Sequence, residues 1–172
     1  MIRIISTFLD LSSILSQSSN IVLYCFGLDE LSESEGMDRS HMRIPQNQIE
    51  LLQSIVQVNE NVVGLLSAGA SIEMPWHYCC KAILHGYLTG QAGASAMLNI
   101  LTGKVNPSGR LSETYPLRYE DTSAFRHFPS TQRNSEYRES IYIGYRYYDT
   151  SKVRYSIRSD MGCLIRHLCI QI

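Results

Sequence analysis

A continuous apolar run at residues 21–26, Ile-Val-Leu-Tyr-Cys-Phe, ends at Gly27 and constrains the fold more than any other feature of the chain. A strand with one solvated face alternates apolar and polar residues, whereas this run has no polar position. That pattern is typical of a central parallel strand covered on both faces. Residues 62–66 and 82–84 repeat it. We therefore predict three buried strands, with the Cys25 thiol packed inside the first as a small hydrophobic group.

Helical patterns alternate with these strands. Pro45 is placed to open a helix, and the apolar residues that follow it recur at helical spacing. Residues 94–101 form a second amphipathic segment, which Gly103 follows. Apolar residues at the same spacing predict another helix over residues 3–17. The alternation of strands and helices predicts an α/β fold, a three-layer α/β sandwich with a mostly parallel sheet and helices on both faces.

Composition excludes several functional classes. The net charge is −1 without a basic stripe, so no nucleic-acid partner is expected. No apolar run is long enough to span a bilayer, so no membrane partner is expected either. The five cysteines are odd in number and lack metal-ligand spacing, which indicates a reduced, cytoplasmic chain; the neighbours Cys79 and Cys80 are expected to be structural.

The glycines of residues 86–93 precede a helix, where a phosphate cradle has to be considered. Neither the Gly-Lys-Ser/Thr ending of a P-loop nor the dinucleotide spacing of glycines occurs there. The histidines do not pair at metal-ligand spacing, and His85 is interpreted with the others as a surface or packing residue. We therefore expect neither a cofactor nor a metal.

The loop of residues 28–43, called here the acidic loop, follows the first predicted strand. It carries Glu33, Glu35, Asp38 and Arg39 around a flexible glycine. Ligands of open α/β sheets bind beyond the carboxyl ends of the strands, so a carboxyl group here is a candidate general acid. The alternative is an acidic loop that is merely solvated.

Several motifs resemble, in the right order, the C-terminal domain of glycoside hydrolase family 3, the β-glucosidases. The resemblance covers residues 1–155. The motifs are Ser-Glu-Gly-x-Asp-Arg at residues 34–39, Ile-Glu-Met-Pro-Trp at 72–76, the glycine loop at 86–93, Asn-Pro-Ser-Gly-Arg-Leu at 106–111, and the tyrosine-rich segment at 137–149.

The resemblance implies retaining hydrolysis of β-linked glucosides or oligosaccharides by two carboxyl groups about 5 Å apart. In the family an aspartate on an N-terminal TIM barrel is the nucleophile, and a glutamate from the domain seen here is the acid/base. Carried over, Glu35 of the Ser-Glu-Gly motif is the first choice for the acid/base, and Glu33 is the second. Asp38 and Arg39 are expected to form an ion pair that shapes the loop.

Two departures from the family pattern matter. A barrel needs about 250 residues, so 172 residues cannot hold both domains, and the nucleophile is missing. Residues 156–172 do not continue the family pattern. A shifted reading frame over residues 160–168 can encode the family's terminal Tyr-Gly-Leu-Ser-Tyr-Thr-Ser-Phe. We therefore expect a domain over residues 1–155 and a frameshifted tail over 156–172.

Three functional hypotheses follow. The first is a detached family 3 domain that supplies the acid/base but is inactive alone. The second is one half of a split enzyme whose barrel is a separate chain. The third is a non-catalytic carbohydrate-binding module that stacks the tyrosines of residues 137–155 on sugar rings.

Overall fold

The computed structural model describes residues 2–5, 16–130, 133–134 and 136–159. Besides two short 3₁₀ helices, His77–Cys79 and Tyr119–Asp121, this part of the chain contains nine α-helices and strands with complete bounds, named here in chain order. They are β1 (Ile2–Ile5), β2 (Ile21–Gly27), α1 (Gln46–Val58), β3 (Val62–Ser67), β4 (Ala82–His85), α2 (Gly93–Leu101), β5 (Tyr115–Pro116), α3 (Tyr145–Ser151) and β6 (Tyr155–Ile157).

The main sheet has the strand order β1-β2-β3-β4, and every neighbouring pair is parallel. The register pairs Leu23 with Val63 and Val63 with Ala82. The three predicted apolar runs are therefore confirmed as strands. Because parallel strands all end at one edge, Gly27, Ser67 and His85 lie along the carboxyl edge of the sheet.

The two faces of the sheet are covered by different helices. One face packs Val22, Tyr24 and Phe26 against α1, whose Leu52 and Ile55 are fully buried. A smaller cluster on the other face is formed by the buried residues Leu23, Val63, Leu84 and Leu101, the last of them on α2. This arrangement confirms the predicted α/β sandwich with helices on both faces.

The prediction of a helix over residues 3–17 is wrong at its amino end. Ile2–Ile5 forms β1, parallel to β2. Three of these four residues are isoleucines, whose β-branched side chains favour strands, and a neighbouring strand edge overrides a helical apolar pattern. Residues 6–15 lie outside the described part of the chain, and Ser16 and Gln17 are helical.

The predicted burial of Cys25 is also wrong, since this residue is exposed and its thiol is free. Alternation along β2 directs Cys25 to the same face as Leu23. The cluster of buried residues on that face, to which Leu101 of α2 belongs, includes Leu23 but not Cys25. Cys79 is buried and Cys80 is partly buried, both as free thiols.

A second, two-stranded antiparallel sheet joins β5 to β6. Its strand β6 begins at Tyr155, the last residue of the predicted domain, and continues into the first residues of the predicted tail. Ser159 is buried, and its backbone N–H donates to the Thr114 hydroxyl at 3.1 Å. Residues 160–172 lie outside the described part of the chain, so the frameshift remains a prediction.

Candidate active site at the carboxyl edge of the sheet

The acidic loop is tied to the sheet at both of its ends. At its start, Leu28 donates its backbone N–H to the Ser67 carbonyl at 2.9 Å. Near its end, the Met42 carbonyl accepts the backbone N–H of Glu73 at 2.7 Å. The loop is therefore held across the carboxyl edge of β2 and β3, where open α/β sheets bind ligands.

Glu33 is the acidic residue that turns back toward the sheet. Its Oε1 accepts the backbone N–H of Gly69 at 2.6 Å, two residues beyond the end of β3. A turn places it there, because the Glu33 N–H donates to the Asp29 carbonyl at 3.1 Å and the Ser32 N–H donates to the Asp29 carboxylate at 2.8 Å. Hydrogen bonds from Ser32 also lower the pKa of Asp29. Glu33 is thus partly buried and fixed in direction.

The other predicted site residues are placed differently. Glu35 and Asp38 are exposed, and Glu35 lies in a turn beside Gly36. Within the described residues no ion pair joins Asp38 to Arg39, which corrects that expectation. Arg39 is partly buried, and its Nη1 atom is buried without a hydrogen-bond partner. Asp38 is exposed to solvent whereas Arg39 is partly buried, so the two groups have different surroundings.

His85, the last residue of β4, forms the centre of a hydrogen-bond network beside Glu33. Its Nε2 bonds the Ala68 carbonyl at 2.8 Å, and its Nδ1 bonds the Tyr115 hydroxyl. Burial lowers the pKa of His85, although the Ala68 carbonyl and the charges of Glu113 and Glu33 act in the opposite direction. Burial likewise raises the pKa of Tyr115. Burial therefore favours the neutral imidazole.

Residues 112–115 run across the same edge and complete the network. The Tyr87 hydroxyl accepts the backbone N–H of Ser112 at 3.3 Å, and the Glu113 carboxylate accepts the backbone N–H of Ser71 at 2.9 Å. Two carboxylates and an imidazole thus face the loops after β3 and β4. Such a set can bind hydroxyl groups and exchange a proton.

Sequence reasoning did not find His85, Tyr87 and Tyr115 as members of one cluster. A histidine at a strand end without a spacing motif resembles any packing residue. The available signal was position, because β4 ends at His85 and the glycine loop follows at once. Its pairing with Tyr115, 30 residues away, required the fold.

Other kinds of site find no support in the described part of the chain. No group of three or more histidine, cysteine, aspartate or glutamate residues there could hold a metal ion. None of the helices described has the length and apolar content needed to cross a bilayer.

The described residues thus form an α/β sandwich with a carboxylate-bearing loop over the carboxyl edge of its sheet. The sequence profile of the glycosyl hydrolase family 3 C-terminal domain matches residues 10–145. The chain belongs to this family.

Curated relatives share its sequence over most of the chain. Thermostable beta-glucosidase B of Acetivibrio thermocellus is 41% identical over 138 residues, which are 80% of this chain and 18% of that protein. An exo-alpha-(1->6)-L-arabinopyranosidase of Bifidobacterium breve is 39% identical over 136 residues, or 78% of this chain and 18% of that protein.

Solved structures of beta-glucosidases are similar to this chain in fold and in sequence. The GH3 beta-glucosidase of Bifidobacterium adolescentis has a TM-score of 0.80 and 37% identity, covering 86% of this chain and 22% of that one. The beta-glucosidase of Kluyveromyces marxianus, solved with glucose, has a TM-score of 0.83 and 28% identity, covering 90% and 19%. The chain therefore spans about a fifth of the length of the relatives it matches.

Proposed function

We propose that this chain is the C-terminal domain of a retaining β-glucosidase-like glycoside hydrolase, and that Glu33 is its general acid/base. The observation that carries the proposal is the 2.6 Å hydrogen bond from the Gly69 N–H to Glu33 Oε1. It fixes a partly buried carboxylate at the ligand-binding edge of the sheet. Glu35, the first choice from the motif, is exposed and makes no comparable contact among the described residues, so it becomes the second candidate.

The proposed chemistry uses Glu33 twice. As an acid it would protonate the glycosidic oxygen while the nucleophile attacks the anomeric carbon. As a base it would then take a proton from the water that hydrolyses the glycosyl-enzyme. Gly69 engages only Oε1 of Glu33, and among the residues that the structure describes Oε2 has no hydrogen bond, so this oxygen is available for the proton.

The nucleophile must come from outside these 172 residues, as the resemblance to the family implies an aspartate on a TIM barrel. The chain alone should therefore not hydrolyse glycosides, because the covalent step has no nucleophile. A barrel in the same protein or on a separate chain would supply it. β-Linked glucosides are the proposed substrates.

The free thiols Cys25, Cys79 and Cys80 support the cytoplasmic location expected from the sequence.

A chimera tests the acid/base role. Residues 10–159 would replace the matching segment of the Bifidobacterium adolescentis β-glucosidase, which supplies the rest of the enzyme. Hydrolysis would be measured with an alkyl β-glucoside and with a dinitrophenyl β-glucoside. An alkoxide leaving group needs protonation, whereas dinitrophenolate does not. Glu33→Gln should therefore lower kcat/KM about 100-fold or more for the alkyl substrate, and much less for the dinitrophenyl substrate.

Glu35→Gln is the matched control, since it makes the same chemical change two residues away on the same loop. It should leave both rates within about threefold. The opposite pattern, with the leaving-group effect in Glu35→Gln only, would assign the role to Glu35. Equal loss for both substrates in Glu33→Gln would indicate that Glu33 binds sugar without acting as an acid.

A carbohydrate-binding module is the second candidate. It is favoured by exposed tyrosine side chains in the tyrosine-rich segment of residues 137–149. Tyr137 is 93% exposed and Tyr142 is 47% exposed. Exposed tyrosine rings can stack on sugars. Calorimetric titration of the chain with cellobiose separates the candidates. A heat of binding in the parent chain that is lost in Tyr137→Ala would favour the binding module. No heat of binding in the parent chain would remove this candidate.

A further inference from the structure

One peptide group connects Glu33 to His85. The Ala68 carbonyl accepts from His85 Nε2 at 2.8 Å, and the Gly69 N–H of the same peptide donates to Glu33 Oε1 at 2.6 Å. The two side chains thus bind opposite ends of a single planar unit. Rotating that unit would break both hydrogen bonds together, because carbonyl and N–H are rigidly antiparallel.

The hydrogen-bond partners determine which nitrogen of His85 carries the proton. A carbonyl oxygen can only accept, so Nε2 must be protonated in order to donate to Ala68. With the ring neutral, Nδ1 is then the acceptor, and the Tyr115 hydroxyl donates to it. Tyr115 therefore selects the tautomer that holds the Ala68–Gly69 peptide.

The imidazole is also clamped from its face. The Tyr87 ring stacks on His85 with 3.9 Å between ring centroids and 26° between planes. Tyr87 adopts a φ of 53°, a conformation that costs free energy in a residue with a side chain. Its hydroxyl accepts from Ser112 N and its carbonyl accepts from the Ser67 hydroxyl, both at 3.3 Å. These contacts keep Tyr87 in place and leave the His85 ring little freedom.

We propose that His85 is a positioning residue for Glu33 and acts through the Ala68–Gly69 peptide, with Tyr115 fixing its tautomer. This inference rests on the proposed role of Glu33 as the acid/base. His85 touches neither the reacting carboxyl nor any sugar in this scheme. It sets the direction of the Gly69 N–H, and this N–H fixes which carboxylate oxygen of Glu33 remains available.

Nuclear magnetic resonance of the full 172-residue chain tests the proposal through the Gly69 amide. In His85→Phe, which keeps a ring to stack on Tyr87 but lacks the donor, the Gly69 amide proton should move upfield. Its exchange with solvent should rise about tenfold, since its hydrogen bond to Glu33 is weakened. His85→Gln places an amide donor near the position of Nε2 and should restore most of both signals.

His77→Phe is the matched control. His77 Nδ1 also bonds a backbone carbonyl, that of Met74, at 2.8 Å, but Glu33 is hydrogen-bonded to the Gly69 N–H and not to the peptide group that His77 contacts. It should leave Gly69 unchanged. An unchanged Gly69 amide in His85→Phe would overturn the proposal. So would equal changes in His85→Phe and His85→Gln, since these would indicate packing alone.

Tyr115→Phe keeps the test decisive if His85→Phe does not fold. Loss of the hydroxyl should let His85 populate both tautomers, visible in its ring nitrogen shifts, and should move the Gly69 amide part of the way upfield. No change in either signal would refute the assignment.

The glycosidase role is tested separately. Full hydrolysis by the Glu33→Gln chimera would remove the proposed function and leave the positioning intact, whereas a Gly69 amide indifferent to His85 would remove only the positioning.

Discussion

Gly27 and Ser67 approach each other so closely that no side chain fits between them. A β-carbon on Gly27 would lie 1.8 Å from the Ser67 carbonyl oxygen. That oxygen accepts the N–H of Leu28, and the N–H of Gly27 itself donates to Gln48 Oε1 at 3.0 Å. The point where β2 becomes the acidic loop is therefore fixed by contacts that only glycine permits.

Gly27→Ala should destabilise the chain by about 3 kcal/mol, because the new methyl group must separate β2 from β3. Urea unfolding followed by circular dichroism measures this. Gly109→Ala is the control, since a β-carbon there meets nothing within 4 Å and its backbone needs no positive φ. Equal unfolding midpoints for the two variants would contradict the prediction.

Gly69→Ala should disturb the site more than the fold. A β-carbon there would lie 3.1 Å from Glu33 Oε1 and 3.4 Å from Leu88 Cδ1. The carboxylate has to shift by a few tenths of an ångström, and small misplacements of catalytic groups are costly. In the chimera we expect kcat for an alkyl β-glucoside to fall about tenfold. The urea unfolding midpoint of the Gly69→Ala variant should change little. A large drop in its stability with unchanged kcat would mean that Gly69 matters for the fold rather than for the site.

The strands and α1 could be predicted from the sequence because their signals are local. A short unbroken apolar run that is bounded by turn residues favours a buried strand, and Pro45 and Gly27 mark the boundaries of elements. The edge strand β1 could not be predicted from the sequence, since Ile2–Ile5 becomes a strand only by pairing with β2. The local apolar pattern there predicts a helix, but pairing with β2 determines the strand.

The candidate site was predictable only in outline. The acidic loop after β2 was located, but the choice between Glu33 and Glu35 depends on a partner 36 residues away, the Gly69 N–H. The role of His85 likewise depends on Ala68 and Tyr115. Such contacts leave no spacing in the sequence, because they are made between loops that the sheet brings together.

Leu52→Ala should cost about 3 kcal/mol of unfolding free energy, since Leu52 is fully buried between α1 and the sheet and its removal leaves a cavity. Leu98→Ala is the matched change on α2, where the side chain is 56% exposed. It should stay within about 0.5 kcal/mol of the parent. Chemical denaturation of both variants measures the difference, and comparable losses would mean that α2 is more deeply packed than described.

Stability should depend on the titration of His85 in a definite direction. Its pKa is lowered in the folded chain by burial, so the unfolded chain takes up a proton first as the pH falls. The unfolded state then binds more protons than the native state. The free energy of unfolding should therefore fall as the pH drops below about 6.5, the ordinary histidine value, until the folded-state pKa is reached.

His85→Gln isolates this contribution, because glutamine retains a donor for Ala68 and does not titrate. Urea unfolding of parent and variant between about pH 7.5 and about pH 5.5, one unit above and below the ordinary histidine pKa, gives two slopes of unfolding free energy against pH. Titratable groups that parent and variant share contribute to both slopes, so the difference between the two slopes is assigned to His85. We expect the variant to lose less stability on acidification than the parent. Identical slopes would mean that His85 is charged as readily in the folded chain as in the unfolded one, which its burial argues against.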